Sequence, residues 1–168
     1  MCKLLVVVPC GKAKVWDRDP DRGPVSAECA YTGSPYKANR QYAKRFGDKW
    51  VILSAKYGFI CPSFVIPESY DVRFGRRSAD EVSLATLRQQ ASDLLGRWRF
   101  HNMIALGGRE YRDAVERAVE SLPVCLYFPF RSMGLFKAMA ATKRAVATGD
   151  PGVCICCKPG CIVPDHQH

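Results

Sequence analysis

Residues 3–14 read KLLVVVPCGKAK. After Lys3 comes an unbroken apolar run, LLVVVP, which is followed by a short segment of cysteine, glycine, alanine and lysine. A run without alternation of polar and apolar residues predicts a strand that is buried on both faces, as in a parallel sheet covered by helices. We therefore predict a strand over residues 3–9 and a loop at its carboxyl end.

Three further apolar runs predict strands of the same kind, and helical patterns lie between and after them. We predict strands over residues 50–54, 102–106 and 124–127, and helices over residues 34–46, 83–98, 110–122 and 134–148. Such alternation implies right-handed crossovers with helices on both faces of the sheet. The predicted fold class is α/β, a three-layer α/β/α sandwich around a short, mainly parallel four-stranded sheet.

The composition is that of one globular domain, with 168 residues of which 48% are hydrophobic and 24% charged. We assign residues 1–148 to an α/β domain and residues 149–168, which lack periodicity, to a cysteine-rich tail outside the core. The longest apolar run is too short to span a bilayer, and no signal-peptide cleavage site follows it. We expect a cytoplasmic, monomeric protein without a membrane partner.

The chain is strongly basic, with 25 Lys and Arg against 16 Asp and Glu and a formal net charge of +9. An excess of this size attracts polyanions, of which nucleic acid is the commonest, so we expect nucleic acid as the partner. A basic enzyme that acts on a small phosphorylated molecule is the alternative.

The tail concentrates four of the nine cysteines, at Cys154, Cys156, Cys157 and Cys161. Thiolates this close together are typical ligands of zinc or an iron–sulfur cluster, although the spacing C-x-C-C-x3-C is not a well-known ligand pattern. A tail without metal is the alternative, and we expect no required cofactor.

In an open parallel sheet, ligands bind beyond the carboxyl ends of the strands. Each predicted strand is followed there by an unusual segment: residues 9–17, residues 54–59 with Tyr70 and Asp71 further along, residues 107–111, and residues 129–134. We expect these four segments to surround a single cleft.

Several basic residues in these segments are candidates for phosphate binding. Gly107 and Gly108 stand between a strand and a helix, where glycine lets a phosphate approach the backbone and the helix N-terminus favours an anion. A plain turn is the alternative there and at Gly11. The candidate phosphate-binding residues are Lys12, Lys14, Arg109, Arg131 and Ser132.

Residues 130–135, FRSMGL, combine a cation, a hydroxyl and apolar side chains in a loop that leads into the last helix. This combination suits a wedge that enters a DNA duplex while the cation holds a phosphate. Met133 and Leu135 are alternatively the first core residues of that helix.

Aromatic and acidic residues in the loops suggest chemistry on a nucleotide base. Tyr57 is a candidate for stacking on a flipped base, with core packing as the alternative for loop aromatics. Cleavage of an N-glycosidic bond develops positive charge on the sugar, which a carboxylate at Asp71 or Asp17 can stabilise. Lys56 can stabilise the departing base. An Asx turn or helix cap is the alternative role of either aspartate.

The segments VVVPCGKAKVWD, YTGSPYKANRQYA, WVILSAKYGFICPS, ESYD and ALGGREY together resemble the YaaA-like family of small bacterial and phage proteins. That family is similar in fold to the uracil-DNA glycosylase superfamily and to the core domain of archaeosine synthase. The resemblance spans residues 3–140. It implies a uracil-DNA glycosylase-like fold in which the base-binding residues are Cys10, Gly11, Tyr31, Tyr57, Tyr70 and Gly107.

The resemblance further implies a monofunctional DNA glycosylase that hydrolyses the N-glycosidic bond of a modified base and leaves an abasic site. Glucosylated hydroxymethylcytosine in phage DNA is the expected base, and antiviral defence is the expected role. Plain uracil is not expected, because the chain has neither the GQDPYH-type nor the HPSPLS-type loop of uracil-DNA glycosylases. Residues 12–17 and 131–135 stand where those loops would fall. The alternatives are a base or ribosyl transferase of the deazaguanine type, acting on nucleotides or tRNA, and a non-enzymatic DNA-binding stress protein.

Overall fold

The computed structural model describes residues 3–76 and 78–155. The strands in these ranges are β1 (Leu4–Pro9), β2 (Val25–Ser26), β3 (Lys49–Ser54), β4 (Gly58–Ile60), β5 (Val65–Ile66), β6 (Asn102–Ala105) and β7 (Cys125–Tyr127). The α-helices are α1 (Ala27–Ala30), α2 (Ser34–Phe46), α3 (Leu84–Trp98), α4 (Arg109–Val119) and α5 (Leu135–Thr148), and Val15–Asp17 form a 3-10 turn.

Five of these strands form one mixed sheet in the order β4-β3-β1-β6-β7. β1 is central and runs parallel to β3 and β6, β7 is parallel to β6, and β4 is antiparallel to β3. The four predicted strands are confirmed, each beginning and ending within one residue of its predicted bounds. The prediction of a four-stranded sheet is wrong, because β4 adds a fifth strand at one edge.

The missed strand β4 has three residues and follows β3 through a tight turn. Gly58 begins it with a φ of +74°, a conformation that favours glycine, and a Cβ there would collide with the Gln90 side chain. That side chain accepts the Phe59 N–H at 2.8 Å and donates to the Tyr57 carbonyl at 3.0 Å. A strand this short leaves no periodic pattern in the sequence.

Helices cover both faces of the sheet. Leu4, Val6 and Val8 of β1 belong to a core formed with α2 and α5, and Leu5 and Val7 belong to a core formed with α3 and α4. All five residues are at most 5% exposed. Because successive side chains of a strand point to opposite faces, a strand between two apolar cores needs an unbroken apolar sequence.

The two longest connections pair with each other through a second, two-stranded antiparallel sheet. Val25 of β2 lies opposite Ile66 of β5, and the Ala27 N–H donates to the Phe64 carbonyl at 2.7 Å. This pairing fixes the chain beyond β4 against the chain beyond β1. Strands of two residues carry no sequence signal, so only long loops could be predicted here.

The first residues of the tail pack against the core, whereas the sequence predicts that they lie outside it. The Tyr42 hydroxyl donates to the Pro151 carbonyl at 2.6 Å. Val153 and Ile155 contact the core formed with α2 and α5. Nowhere in the two described ranges is a helix both long and apolar enough to cross a membrane.

Candidate functional site

A cavity of about 760 Å³ opens at the carboxyl end of the sheet, where residues after β1 face residues after β6. The sheet order puts β3 on one side of β1 and β6 on the other, so the chain reverses its direction of winding at this point. Open α/β sheets bind ligands in the crevice that such a switch point leaves. Residues after β7 and the facing sides of α2 and α5 complete the lining.

Three of the four predicted segments meet at this cavity, and the fourth does not. None of Lys56, Tyr57, Tyr70 and Asp71 belongs to the lining, so the expectation of a single four-segment cleft is wrong for the segment after β3. The reason is topological, since β3 lies on the far side of β1 from β6. The predicted residues that do line the cavity are Cys10, Gly11, Lys12, Asp17, Gly107, Arg109 and Arg131.

Two of the predicted base-binding tyrosines lie instead in a buried network. The Tyr70 hydroxyl is 2.6 Å from the Tyr31 hydroxyl and 2.8 Å from Ser54 Oγ, and these three residues, the tyrosine cluster, are at most 8% exposed. The Lys14 ammonium lies 4.5 Å from the centre of the Tyr70 ring. Lys14, Tyr31, Ser54 and Tyr70 come from four separate segments of the chain, which together build a buried network beside the cavity.

Cys10 connects the cavity to this network. Cys10 belongs to the cavity lining, and its thiol lies 3.2 Å from the Tyr111 hydroxyl. Burial, reinforced by the neighbouring Cys10, raises the pKa of both Tyr70 and Tyr111 well above the usual tyrosine range. Burial lowers the pKa of Lys14, while Cys10 and Asp17 oppose that change. The hydroxyls of Tyr70 and Tyr111 therefore stay protonated well above neutral pH.

Tyr70→Phe is expected to lower the free energy of unfolding by about 1–3 kcal/mol, because the buried hydroxyls of Tyr31 and Ser54 lose their shared partner. Tyr57→Phe is the matched control, since the Tyr57 hydroxyl makes no hydrogen bond within the described residues. We expect that control to change stability by less than about 0.5 kcal/mol. Urea denaturation measures the free energy of unfolding of both variants. A loss in Tyr70→Phe that is no larger than the loss in Tyr57→Phe would show that the hydrogen bonds of the Tyr70 hydroxyl add nothing to stability.

Lys56 and Tyr57 form the turn that follows β3, outside the cavity. Ser54 Oγ accepts the backbone N–H of both residues at 3.2 Å. The Tyr57 ring centre lies 5.3 Å from that of Phe64 and 5.4 Å from that of Tyr70, and the Lys56 ammonium is 5.5 Å from the Tyr57 ring. The two side chains are thus engaged with the loop that carries the tyrosine cluster.

The two candidate carboxylates are both exposed, but they lie in different places. Asp17 lines the cavity, and its Oδ2 accepts the Lys14 N–H at 2.8 Å, which fixes the carboxylate across the 3-10 turn. Asp71 lies outside the lining with a side chain that is 75% exposed, and its Oδ1 pairs with the Arg73 guanidinium at 3.2 Å. The local capping role and a position in the cavity coincide at Asp17, so the geometry favours Asp17 for chemistry there.

Two glycines carry the chain from β6 into α4 at the cavity wall. Gly107 has a φ of +112°, and a Cβ there would lie 2.8 Å from Cγ of Pro9 at the end of β1. Only glycine lets the two strand ends approach this closely. Gly108 is the N-cap of α4 and supplies no capping side chain. The first turn of α4, with its uncapped N–H groups and the positive end of its dipole, therefore forms part of the cavity wall.

The charged lining is mainly basic. Lys14 is only 6% exposed, and its ammonium donates to the Lys12 carbonyl at 3.2 Å, so its burial does not fit the predicted phosphate contact. Ser132 is exposed but lies outside the lining. The basic residues that line the cavity are Lys12, Arg109, Arg112 and Arg131, and the acidic ones are Asp17 and Glu110.

Exposed apolar side chains lie at and directly beside the cavity lining. Met133 is 42% exposed, Leu135 62% and Phe136 80%, and we call these three residues the apolar rim. Met133 and Leu135 also line the cavity. The alternative interpretation of Met133 and Leu135 as buried core residues is therefore wrong.

Sequence reasoning missed the cavity walls that α2 and α5 provide. The lining residues recur at spacings of three and four, which is one face of a helix. The same spacing is typical of core packing, so the sequence offers no signal that separates a cavity wall from a core face. The missed residues are Pro35, Tyr36, Asn39, Ala138, Met139 and Thr142 from these helices, and Arg112 from α4.

The described residues contain no cluster of three or more His, Cys, Asp or Glu side chains that could hold a metal ion. Of the four tail cysteines that are candidate ligands, Cys154 is exposed and forms no disulfide with another described cysteine. Cys156, Cys157 and Cys161 lie outside the described residues.

A model of DUF6884, a family of unknown function, matches residues 5–144. The chain belongs to this family. The chain is 41% identical to the uncharacterized protein YfjM of Bacillus subtilis (strain 168) over 117 residues, which cover 70% of this chain and 77% of YfjM. The crystal structure of AF0587, a protein of unknown function, is similar with 12% identity and a TM-score of 0.44, covering 87% of this chain and 45% of that chain.

The DUF6884 match extends from β1 into α5. Every residue that lines the cavity falls inside the matched region, from Pro9 to Thr142. The cavity is therefore built entirely by the part of the chain that defines DUF6884, and the cysteine-rich tail lies beyond that part.

Proposed function

We propose that this protein is a monofunctional DNA glycosylase with a three-layer, uracil-DNA glycosylase-like fold. It hydrolyses the N-glycosidic bond of glucosylated hydroxymethylcytosine in phage DNA and leaves an abasic site, in defence against phage. The observation that carries the proposal is the cavity at the switch point of the sheet, whose basic lining adjoins exposed apolar side chains. Its volume of about 760 Å³ suits a base with a large substituent.

The charges around the cavity support a DNA substrate. Lys12, Arg109 and Arg131 stand at the ends of three different strands and surround one opening. Cationic side chains around an opening bind the phosphates that flank an extruded nucleotide. The uncapped first turn of α4 adds N–H donors to the same wall.

The apolar rim supports base flipping from a duplex. Proteins that enter a base stack and hold it open insert exposed apolar side chains between the bases, next to cationic side chains that bind phosphates. Leu135 and Phe136, the first two residues of α5, are more than half exposed, and Arg131 lies in the loop that leads into this helix. An enzyme that acts on a base must take it out of the stack, and a wedge at the cavity mouth stabilises the extruded state.

Asp17 is the proposed catalytic carboxylate. As the bond between the anomeric carbon and the base breaks, positive charge develops on the sugar and the electron pair leaves with the base. The Asp17 carboxylate stabilises that positive charge and orients the water that attacks the anomeric carbon. The water's oxygen bonds to the sugar and its released proton ends on the departing base, so no other reactant is needed. The N–H groups in the first turn of α4 stabilise the negative charge of the leaving base.

Removing basic side chains from the cavity mouth is expected to weaken DNA binding and its dependence on salt. Lys12→Ala and Arg131→Ala should each reduce the slope of log K against log salt by about one. Arg88→Ala is the matched control, because Arg88 pairs with Glu120 on the α3–α4 side of the sheet and should leave the slope unchanged. Fluorescence anisotropy at several salt concentrations measures the slopes, and equal slopes for all three variants would contradict a DNA path across the cavity.

The experiment that tests the proposed function is base release from duplex DNA that carries glucosylated hydroxymethylcytosine. Abasic sites are detected by strand cleavage in alkali, and the free base is detected by mass spectrometry. Both products are expected with the wild-type protein. Absence of both products would remove the proposal.

A base or ribosyl transferase on nucleotides is the second candidate function. The observation that favours it is the first turn of the eleven-residue helix α4, which lines the same cavity and has N–H groups without a side-chain cap. Such a helix end favours the binding of an anion such as a nucleotide phosphate. Exchange of a labelled base into a free nucleotide, without DNA present, would support this candidate. Base release that requires DNA would support the glycosylase.

A further inference from the structure

Residues of α2 and α5 line one side of the cavity, and we call the part of the cavity that these helices line its arm. Residues 135 and 142 both line it and are seven positions apart on α5, so this wall extends over about 10 Å of helix at 1.5 Å per residue. Leu135 is 62% exposed and Thr142 is 1% exposed, so the wall runs from an exposed residue to a buried one. Its lining comprises Pro35, Tyr36 and Asn39 from α2 and Leu135, Ala138, Met139 and Thr142 from α5.

One polar group in this arm has no partner within the described residues. The Tyr36 hydroxyl donates to the Glu28 carbonyl at 3.0 Å, and the Thr142 hydroxyl donates to the Ala138 carbonyl at 2.8 Å. The side-chain amide of Asn39, half-buried in the wall, makes no such bond. An amide offers two donors and one acceptor, and the few polar groups of a mainly apolar pocket orient a polar ligand.

We propose that this arm is the subsite for a hydroxyl-rich substituent of the excised base and that Asn39 recognises its hydroxyl groups. The inference rests on the proposed function, because it assigns a position to the glucose of the modified base. A pyrimidine ring at the strand ends leaves the arm empty, whereas a hexose linked through a hydroxymethyl group reaches into it. The Thr142 oxygen retains an acceptor site for the same substituent, and Tyr36 and Met139 offer apolar surface to the C–H groups of a sugar ring.

The test measures binding of two free nucleosides, deoxycytidine with a glucosylated hydroxymethyl group and deoxycytidine with the hydroxymethyl group alone. Wild-type protein is expected to bind the glucosylated nucleoside at least about tenfold more tightly, as one or two matched hydrogen bonds provide. Asn39→Leu removes the amide at similar volume, and Ala138→Leu fills the arm. Each variant is expected to reduce the difference to less than about threefold. Lys37→Leu, exposed on the same helix and outside the cavity, is the matched control and should keep the wild-type difference.

The outcomes separate this inference from the proposed function. Equal affinity for the two nucleosides in the wild-type protein, including no binding of either, overturns the subsite. A difference that persists in both Asn39→Leu and Ala138→Leu also overturns it. If the wild-type preference is present and both variants abolish it while no DNA substrate releases a base, the subsite stands and the glycosylase proposal fails. Thermal unfolding of each variant establishes that the folded protein is being compared.

Discussion

Asp17→Asn is expected to slow base release by about 10²–10³-fold while leaving affinity for the same DNA within about twofold of the wild type. The substitution removes the negative charge that faces the developing positive charge of the sugar. The amide oxygen can still accept the Lys14 N–H, which Asp17 Oδ2 accepts at 2.8 Å, so the 3-10 turn is preserved. Single-turnover kinetics with enzyme in excess measures the chemical step, and anisotropy measures binding.

Asp71→Asn is the matched control for this prediction. Asp71 is exposed and paired with Arg73 outside the cavity, so its variant should release base within about threefold of the wild-type rate. An inactive Asp71 variant beside an active Asp17 variant would move the catalytic role to the loop that carries Tyr70. Glu110→Gln tests the other acidic residue of the lining, and loss of activity only there would reassign the role to α4.

Gly107→Ala is expected to lower the free energy of unfolding by about 2–5 kcal/mol, a larger loss than we expect for Tyr70→Phe. Two costs combine. A φ of +112° is unfavourable for a residue with a Cβ, and that Cβ would press against Pro9 Cγ at 2.8 Å. The ends of β1 and β6 would have to separate, which deforms the cavity at its centre.

Gly108→Ala is the matched control for Gly107→Ala. Gly108 has a φ of −70°, and the nearest atom to an added Cβ is a Glu110 carboxylate oxygen at 3.7 Å, which is ordinary contact. We expect a loss of no more than about 1 kcal/mol, from the poorer N-cap. Urea denaturation of both variants gives the comparison. Similar stabilities would mean that the strand ends can relax apart, so that the Pro9–Gly107 approach does not define the site.

The main sheet could be predicted because its central strands are buried on both faces. The run LLVVVP of residues 4–9 has no polar position to accommodate, since Leu4 and Leu5 face opposite apolar cores. The edge strand β4 and the loop strands β2 and β5 could not be predicted, because they are only two or three residues long and leave no apolar pattern in the sequence. β4 depends on a positive φ at Gly58 and on the Gln90 side chain, which is 31 residues away from Phe59 in the sequence.

Only the part of the candidate site that lies at the ends of the strands could be predicted from the sequence. Cys10, Lys12 and Gly107 follow buried strands, and their shared location follows from the parallel order of the sheet. The sequence cannot reveal which parallel strand lies next to which, so it wrongly predicts the same cleft for the segment after β3. Asn39 could not be predicted, because a polar residue on a helix face looks the same whether it faces solvent or a cavity.

The measurement that tests the central claim most directly is base release from four duplexes of identical sequence. They carry cytosine, uracil, hydroxymethylcytosine or glucosylated hydroxymethylcytosine at one position, and wild type is compared with Asp17→Asn. The account predicts an abasic site and free modified base from the glucosylated duplex with wild type only, and far less product from the other three. No abasic site in any duplex, or equal product with Asp17→Asn, would contradict it.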